Sequence, residues 1–340
     1  MTSTVDAEDT AHANSADLWP QLRAVQRRWP VMQVLALAIL VIVATATLPG
    51  FLGATSIRLV LSLAALAGMA SVGQTILILL GGFDLSVAGF IVGGALMVTQ
   101  VAADYHWSFG LALVIALAGA GLLGGLAGFV CWRFTINPLI ITLAIGTVGV
   151  GLAQTMIPGG LTYGAGAPPW LISLTNPGSD TFGSPVPPMV SMWIVVFVLV
   201  MTFLHKTVSG RRLLATGANR RSAEYSLIKT GKLWTLGFAF SAMMSVLVGL
   251  LVAGSGGQII TGAGDPYLFQ SAVAVIVGGT VFGGPGDYGR TVIGALFVTV
   301  LNTILLGNGA NAAGQQIIYG LAILVSVSVY MREKRLRDQF

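Results

Sequence analysis

The most regular feature of the chain is the alternation of long apolar runs with short polar breaks. About ten such runs follow one another from residue 30 onward, and most approach the ~20 residues that an α-helix needs to cross a bilayer. Continuous runs of this length predict helices rather than the alternating strands of a membrane barrel. The predicted spans are Pro30–Leu48, Ile57–Leu80, Val87–Ala103, Phe109–Trp132, Leu139–Ile157, Met189–Leu204, Leu233–Ala253, Leu268–Phe282, Thr291–Leu306 and Gln315–Met331.

The composition excludes a soluble protein. Hydrophobic residues make up 55% of the chain, charged residues only 9%, and the mean hydropathy is +0.86. Soluble domains carry roughly a quarter charged residues, so this chain lacks the polar shell that a water-facing surface requires. A bilayer removes that requirement, but it demands that backbone N–H and C=O groups be paired within the protein. We therefore predict an all-α fold, a polytopic bundle of membrane helices.

The basic residues predict how this bundle is oriented. If the N-terminus is cytoplasmic, 16 of the 17 lysines and arginines fall in inward-facing segments and only Arg58 falls outside. Cytoplasmic loops are enriched in lysine and arginine, and a wrong number of spans would scramble this distribution. This distribution therefore predicts an N-in, C-in topology. The net charge of +5 does not indicate a nucleic-acid partner, because no basic patch interleaved with aromatic residues is present.

The chain divides into one large domain with two short tails. Residues 1–29 are predicted to form a cytoplasmic tail that ends in an amphipathic segment, Leu18–Trp29, on the membrane surface. Residues 30–331 are predicted to form the transmembrane domain, and residues 332–340 a basic cytoplasmic tail. The long outer connection, Pro158–Pro188, holds seven of the thirteen prolines and is expected to form a rigid surface segment.

Small residues within the runs predict close helix packing. Glycines lie four residues apart at Gly89 and Gly93, and again at Gly124 and Gly128. This spacing lets helix backbones approach one another in lipid. Cys131, the single cysteine, has no partner for an intrachain disulfide, so we expect it to serve packing.

The first break that contains a charge is GGFDLSV, residues 81–87. A carboxylate near hydrocarbon is costly unless it accepts hydrogen bonds. Asp84 or Ser86 is predicted to accept the free amides at the start of the next helix, and the glycines allow the turn. The alternative is that Asp84 forms a polar contact along a transport path.

The most charged connection is Lys206–Lys232. Gly217 is predicted to break the chain there, and Asn219 to cap a short cytoplasmic helix over Arg220–Ile228, between spans 6 and 7. A capped helix is more than a turn between two spans requires. It is either an ordinary basic loop held near anionic lipid or a docking helix for a cytoplasmic partner.

A glycine-rich break, residues 278–286, follows the eighth run. No Lys-Ser or Lys-Thr pair lies at the spacing of a phosphate-binding loop, and no strand precedes the break, so this motif predicts no ATP site. The three histidines are scattered, and neither an HExxH motif nor paired cysteines occur. The sequence therefore predicts no metal site, no cofactor bound by this chain and no enzymatic activity.

Four segments of the chain resemble, in order, those of a known family. LLGGFDLSVAGFIVGGAL (79–96) resembles the family's SGGIDLSVGS element, and INPLIITLAIGTVGVGL (136–152) its I-P-x-F-I-x-T-L-G stretch. SGRRLLATGANRRSAEYSLI (209–228) resembles its coupling segment, and AVAVIVGGTVFGGPGDYGRTVIGAL (272–296) its A-x-V-I-G-G-T element. The family is the ribose/xylose-type permeases of bacterial ATP-binding-cassette (ABC) importers, within the superfamily of branched-chain amino acid permeases.

The resemblance implies a transport subunit in the bacterial inner membrane, without an ATP site of its own. The implied partners are a second permease subunit, identical or paralogous, a cytoplasmic ATPase that holds ATP and magnesium, and an extracytoplasmic solute-binding protein. The residues implied in coupling to the ATPase are Gly217, Asn219, Ala223, Glu224 and Ser226. Those implied in the pathway or in a hinge are Gly82, Asp84, Ser86, Pro138, Thr142, Gly278 and Gly279.

The resemblance favours a sugar as the substrate. Nucleosides, a sugar-like signal and amino acids stay open as alternatives, because relatives of this fold carry them. A stand-alone secondary carrier is the alternative from a different class, since broken helices suit both kinds of transporter. The chain departs from the family pattern at Leu227 and Arg290, where the family has glycine. An arginine there needs a partner or water that glycine does not need.

Overall fold

A computed structural model describes residues 30–156, 166–256 and 262–330. Within these ranges the chain is helical and forms no sheet, as its composition predicts. One π-helical turn, Met97–Val101, interrupts the helix Val87–Asp104. The helices are α1 Val31–Thr47, α2 Ala54–Leu80, α3 Val87–Asp104, α4 Phe109–Phe134, α5 Pro138–Met156, α6 Pro169–Thr175, α7 Pro188–Lys206, α8 Val208–Ala218, α9 Arg220–Tyr225, α10 Thr230–Gly256, α11 Asp265–Val277, α12 Tyr288–Gly307 and α13 Ala312–Tyr330.

Each predicted apolar run falls on one of these helices. Seven of them, α2, α3, α4, α5, α7, α10 and α12, are long and apolar enough to cross a membrane, and the apolar helices α1, α11 and α13 are shorter. The eighth predicted span ended too late. α11 stops at Val277 rather than Phe282, because two glycines follow and Gly279 has a φ of +89°. The predicted segment Leu18–Trp29 and the tail 332–340 lie outside the described residues.

Two helices of 27 residues each, α2 and α10, pack against each other at the centre of the bundle. They are antiparallel, because a Cβ added at Gly73 would meet Ser241, whereas one added at Gly237 would meet Leu77 and Leu80. α10 contacts α3 and α4, and α3 contacts α5; correspondingly, α2 contacts α11 and α12, and α11 contacts α13. Helices α2–α5 and α10–α13 are therefore two inverted copies of one four-helix unit, an arrangement common among membrane transporters.

α3 and α11 hold corresponding places in the two units, and both begin inside the bundle. A Cβ added at Gly264, just before α11, would lie 2.4 Å from the backbone oxygen of Ala88 in the first turn of α3. Ser241, whose hydroxyl bonds Asp84 just before α3, lies eleven residues after the start of α10, or about 16 Å along the helix. The N-termini of two helices therefore meet beside the middle of α10.

The two ends of the bundle differ in charge. At one end, the Arg58 end, the guanidinium of Arg58 donates to two backbone oxygens between α6 and α7 and pairs with Asp180 at 2.7 Å. α2 then carries the chain about 40 Å to Leu80, beside Gly217 of α8. We call this the Gly217 end. Every other lysine and arginine in the described residues lies in segments at the Gly217 end.

Close packing of α4 on α10 depends on glycine, as the spacing predicts. Cβ atoms added at Gly124 and Gly128 would each lie 2.6 Å from a backbone oxygen of α10, a separation that no side chain tolerates. Gly93 differs, because an added Cβ there would meet nothing within 4 Å. Cys131, near the end of α4, is buried at 2% exposure, which agrees with a packing role.

Candidate functional site

The first candidate region is a polar cluster around Asp84, which is only 2% exposed. Its Oδ1 accepts hydrogen bonds from the backbone N of Ser86, at 2.8 Å, and from the Ser86 hydroxyl. Its Oδ2 accepts one from the hydroxyl of Ser241 on α10, at 2.7 Å. Three donors thus compensate the burial of a carboxylate, which an apolar bundle otherwise disfavours.

Two further bonds tie this turn to α2 and α5. The backbone N of Asp84 donates to Oε1 of Gln74 on α2, at 3.2 Å, and the backbone N of Leu85 donates to Oγ1 of Thr142, at 3.0 Å. Thr142 in turn donates to the backbone oxygen of Pro138, the first residue of α5, at 2.8 Å. We call the set Gln74, Asp84, Ser86, Thr142 and Ser241 the polar knot. It joins four helices, α2, α3, α5 and α10.

The polar knot refines the predicted role of Asp84. The prediction that Asp84 or Ser86 accepts a free amide of the helix is wrong, because neither side chain caps α3. The carboxylate instead accepts the amide and the hydroxyl of Ser86, the residue before α3. Gly82 packs beside this turn, where an added Cβ would approach the ring of Phe238 to 3.3 Å. The geometry therefore agrees with a structural contact that spans four helices, which is more than a local cap.

Sequence reasoning missed Gln74 and Ser241. Gln74 is the one amide side chain in the second apolar run, and it is fully buried. A lone polar residue within such a run is a signal of function or of internal hydrogen bonding. Its Nε2 atom is buried with no hydrogen-bond partner among the described residues.

The second candidate region is the connection between α7 and α10, residues 207–229, which we call the α8–α9 segment. The sequence predicted one helix here, and the structure has two. The prediction that Gly217 breaks the chain is wrong, because this residue lies in the last turn of α8. The break is at Asn219, whose backbone is extended and whose Oδ1 accepts the backbone N of Ser222, at 3.0 Å. The predicted cap is therefore present, but α9 ends at Tyr225 rather than Ile228.

Gly217 places α8 directly on the end of α2. A Cβ added at Gly217 would lie 1.8 Å from the backbone oxygen of Leu79, and one added at Gly283 would lie 2.5 Å from the backbone oxygen of Gly217. Three backbone segments therefore meet at this point. Gly278 and Gly279, predicted together with Asp84 as pathway or hinge residues, lie in the turn that follows α11, near this contact rather than in the polar knot.

Glu224 ties α9 to the ends of two long helices. Its Oε1 accepts bonds from Oγ1 of Thr230, at 2.7 Å, and from Nε of Arg220, at 3.0 Å. Trp132, near the end of α4, donates its indole N–H to Oγ1 of Thr230, at 3.1 Å, and the guanidinium of Arg220 lies over its ring. We call these four residues the Glu224 clamp. The bond from Thr230, and then that from Arg220, holds the pKa of Glu224 below its ordinary value.

The remaining predicted coupling residues shape the short helix. Ala223 is buried at 4% exposure and faces the bundle. Ser226 ends the helix, and its hydroxyl donates to the backbone oxygen of Ser222, at 3.0 Å. In contrast to Ala223, the side chains of Tyr225 and Leu227 project away from the bundle and are 88% and 91% exposed.

The comparison with known families decides the class of protein. The profile of a family described as the branched-chain amino acid transport system, permease component, matches residues 56–327. The chain belongs to this family. Both candidate regions of the permease, the polar knot and the α8–α9 segment, lie within the matched residues 56–327.

Individual relatives are matched over most of their length. The permease is 31% identical over 301 residues to the ribose import permease protein RbsC of Bacillus subtilis, which covers 86% of this chain and 90% of the relative. It is 31% identical over 309 residues to RbsC of Haemophilus influenzae, with 89% and 94% covered. It is 30% identical over 264 residues to the fructose import permease protein FruG of Bifidobacterium longum, with 76% and 77% covered. No solved structure matches the chain.

Proposed function

We propose that this permease is the membrane-spanning subunit of an ATP-binding-cassette importer and that its substrate is a sugar. The observation that carries this proposal is the α8–α9 segment, a capped pair of helices held rigidly at the Gly217 end. The names of the relatives, ribose and fructose import permeases, support a sugar. ATP hydrolysis belongs to a separate cytoplasmic subunit that docks on this segment, and ATP and magnesium are bound there.

The charge difference between the two ends supports the orientation. The Gly217 end faces the cytoplasm and the Arg58 end faces outward, because basic residues are retained on the cytoplasmic side. In this orientation the seven long helices, together with α1, α11 and α13, make ten membrane segments, and both termini are cytoplasmic. The protein then resides in the bacterial inner membrane, and a solute-binding protein docks on the Arg58 end.

Two connections lead from the α8–α9 segment to the polar knot. Gly217 of α8 abuts Leu79 of α2, and α2 carries Gln74 of the knot. Glu224 of α9 holds Thr230 at the start of α10, and α10 carries Ser241 of the knot. A displacement of the segment by the ATPase therefore moves both central helices, and the polar knot keeps α3 and α5 attached to them. Rigid helices that move as units are a common basis of alternating access.

One face of α5 supports a pathway shared with a second permease subunit. Thr147, Gly151 and Gln154 lie at the helical spacing of a single face, and Thr147 and Gln154 are exposed. Polar side chains that face lipid are costly, so such a face is expected to line water or another subunit. We place the sugar path along this face, between two copies of the permease or between the permease and a paralogue.

The proposal is tested in proteoliposomes that contain the permease with the ATPase and the binding protein encoded beside its gene. Radiolabelled ribose or fructose should accumulate only when ATP is present on the ATPase side. Uptake of a nucleoside or an amino acid instead would replace the sugar but keep the importer. Accumulation by the permease alone, driven by an ion gradient without ATP, would contradict the proposal and indicate a secondary carrier.

A further inference from the structure

The end of α9 has an unusual backbone. The N–H of Leu227 donates to the oxygen of Glu224 at 2.9 Å, and the N–H of Ile228 donates to the oxygen of Ala223 at 3.0 Å. This pair of bonds defines a Schellman motif, in which the residue at the position of Leu227 must be left-handed. Leu227 has a φ of +59°. Glycine is the usual residue there, because a Cβ crowds the backbone in this conformation.

Burial of the Leu227 side chain does not compensate for this backbone strain. It is 91% exposed, and its neighbour Tyr225 is 88% exposed. Two large apolar side chains thus project from the same short turn, and one of them is held in an unfavourable backbone conformation. Local strain that the surroundings maintain is a recurrent feature of functional sites.

The surroundings of this turn are basic and rigid. Exposed cations flank it on both helices and after the turn, at Arg211, Arg212, Arg221 and Lys229. The Asn219 cap and the Glu224 clamp fix the turn from two sides. A fixed presentation favours a shaped pocket, because preorganised side chains lose less entropy on binding. A lipid surface requires no such fixed shape.

The place of the turn in the fold also favours a protein partner over lipid. α8 rests on the end of α2 through Gly217, and α2 is the most enclosed of the long helices, with 94% of its apolar window buried. The segment therefore covers the central part of the Gly217 end.

We propose that Tyr225 and Leu227 form an apolar knob that inserts into an apolar pocket with an acidic rim on the ATPase subunit. This inference rests on the proposed function and deepens it, because it names the two side chains that make the contact and the chemistry of the surface that receives them. Leu227 anchors the knob, and the surrounding cations steer and orient the docking.

Two substitutions at one position separate the knob from the backbone strain. Leu227→Gly removes the side chain and relieves the strain, whereas Leu227→Ala removes most of the side chain and keeps the strain. Both should weaken binding of the purified ATPase to the detergent-solubilised permease by about tenfold, the effect of losing one buried anchor. In thermal unfolding, Leu227→Gly should have a higher Tm than both Leu227→Ala and the wild type.

Phe182 offers a matched control at the Arg58 end. It is also a fully exposed apolar residue with a positive φ, +48°. Phe182→Gly should raise the Tm for the same reason as Leu227→Gly, and it should leave binding of the ATPase unchanged. Binding of the wild type should also weaken as salt is raised, because a cationic surface meets an acidic rim.

The outcomes distinguish failure of this inference from failure of the proposed function. Wild-type affinity in both Leu227 variants would overturn the knob while leaving the importer in place. Weaker attachment of these variants to phosphatidylglycerol vesicles, with normal binding to the ATPase, would assign the turn to lipid and also overturn the knob. A wild-type permease that binds no ATPase would instead contradict the proposed function.

Discussion

The polar knot and the α8–α9 segment handle polar groups in opposite ways. In the knot, a carboxylate near the middle of the bundle is almost fully buried and accepts three hydrogen bonds from two residues, Ser86 and Ser241. In the segment, charged and apolar side chains project from the Gly217 end, and one residue is strained. The buried region is satisfied internally and holds helices together. The exposed region presents its side chains to the solvent, at the surface where we propose that the ATPase docks.

The largest expected effect lies where the two regions connect. Gly217→Val should lower the folded yield strongly, because its Cβ would lie 1.8 Å from the backbone oxygen of Leu79. We expect a destabilisation of more than about 3 kcal/mol, above the usual cost of overpacking. Fluorescence-detected gel filtration of a tagged permease measures the yield. Gly119→Ala is the control, because an added Cβ at Gly119 meets nothing within 4 Å; equal yields for the two variants would refute the close contact.

The next effect concerns the polar knot. Asp84→Ala leaves the donors of Ser86 and Ser241 without their acceptor, at a cost of about 3 kcal/mol. Folded yield and thermal stability should both fall. Ser241→Ala removes a single donor from the same carboxylate and should cost only about 1 kcal/mol. If Asp84→Ala instead folds normally and abolishes transport, Asp84 belongs to the pathway and the structural role is wrong.

A smaller effect is expected at the Glu224 clamp. Thr230→Val removes the bond that contributes most to lowering the pKa of Glu224, so this pKa should rise toward the ordinary value of a glutamate. A carboxyl group with a lowered pKa stabilises its clamp while it is ionised. That contribution is complete above the ordinary pKa and is lost as the pH falls through the lowered one. Carbon-13 NMR of labelled glutamate measures the shift.

The control for the clamp is Thr147→Val on α5, which makes the same chemical change far from α9. It should leave the titration of Glu224 as in the wild type. An unchanged pKa in Thr230→Val would show that the hydroxyl of Thr230 does not hold Glu224, and the proposed link from α9 to α10 would then lose its main bond.

The smallest effect is expected at the Arg58 end. Asp180→Asn removes one exposed charge from the pair with Arg58, whose two bonds to backbone oxygens remain. Exposed ion pairs contribute little, so the loss should be about 0.5 kcal/mol or less. Thermal unfolding at low and high salt checks this value. A loss as large as that of Asp84→Ala would remove the contrast between buried and exposed polar groups.

The sequence predicted the positions of the helices along the chain better than it predicted which helices pack against one another. Apolar runs locate membrane helices because the bilayer acts on each run separately. α8 was missed because it mixes arginine, glycine and threonine with leucine; its Leu213 is buried only by the tertiary fold. The bond from Ser241 to Asp84 joins residues 157 positions apart. No local pattern predicts such a pair, because it depends on how α3 packs on α10.

The candidate site was predictable in part for the same reason. Asn219 was recognised as a cap because capping depends on a few neighbouring residues. The sequence could not place Gly278 and Gly279 beside the α8–α9 segment, since glycine at a turn indicates a backbone shape and gives no information on which turns meet. Their predicted role in the pathway or in a hinge stays a prediction. The strain at Leu227 likewise follows from the Schellman motif, which only the structure shows.

The central claim is that the α8–α9 segment faces the cytoplasm and receives the ATPase there. Because Cys131 is buried, a single cysteine introduced by Arg221→Cys can be labelled selectively with a membrane-impermeant maleimide. The account predicts labelling in inverted membrane vesicles, protection by added ATPase, and no labelling in intact spheroplasts, where Phe182→Cys should react instead. Labelling of Arg221→Cys in intact spheroplasts would contradict it.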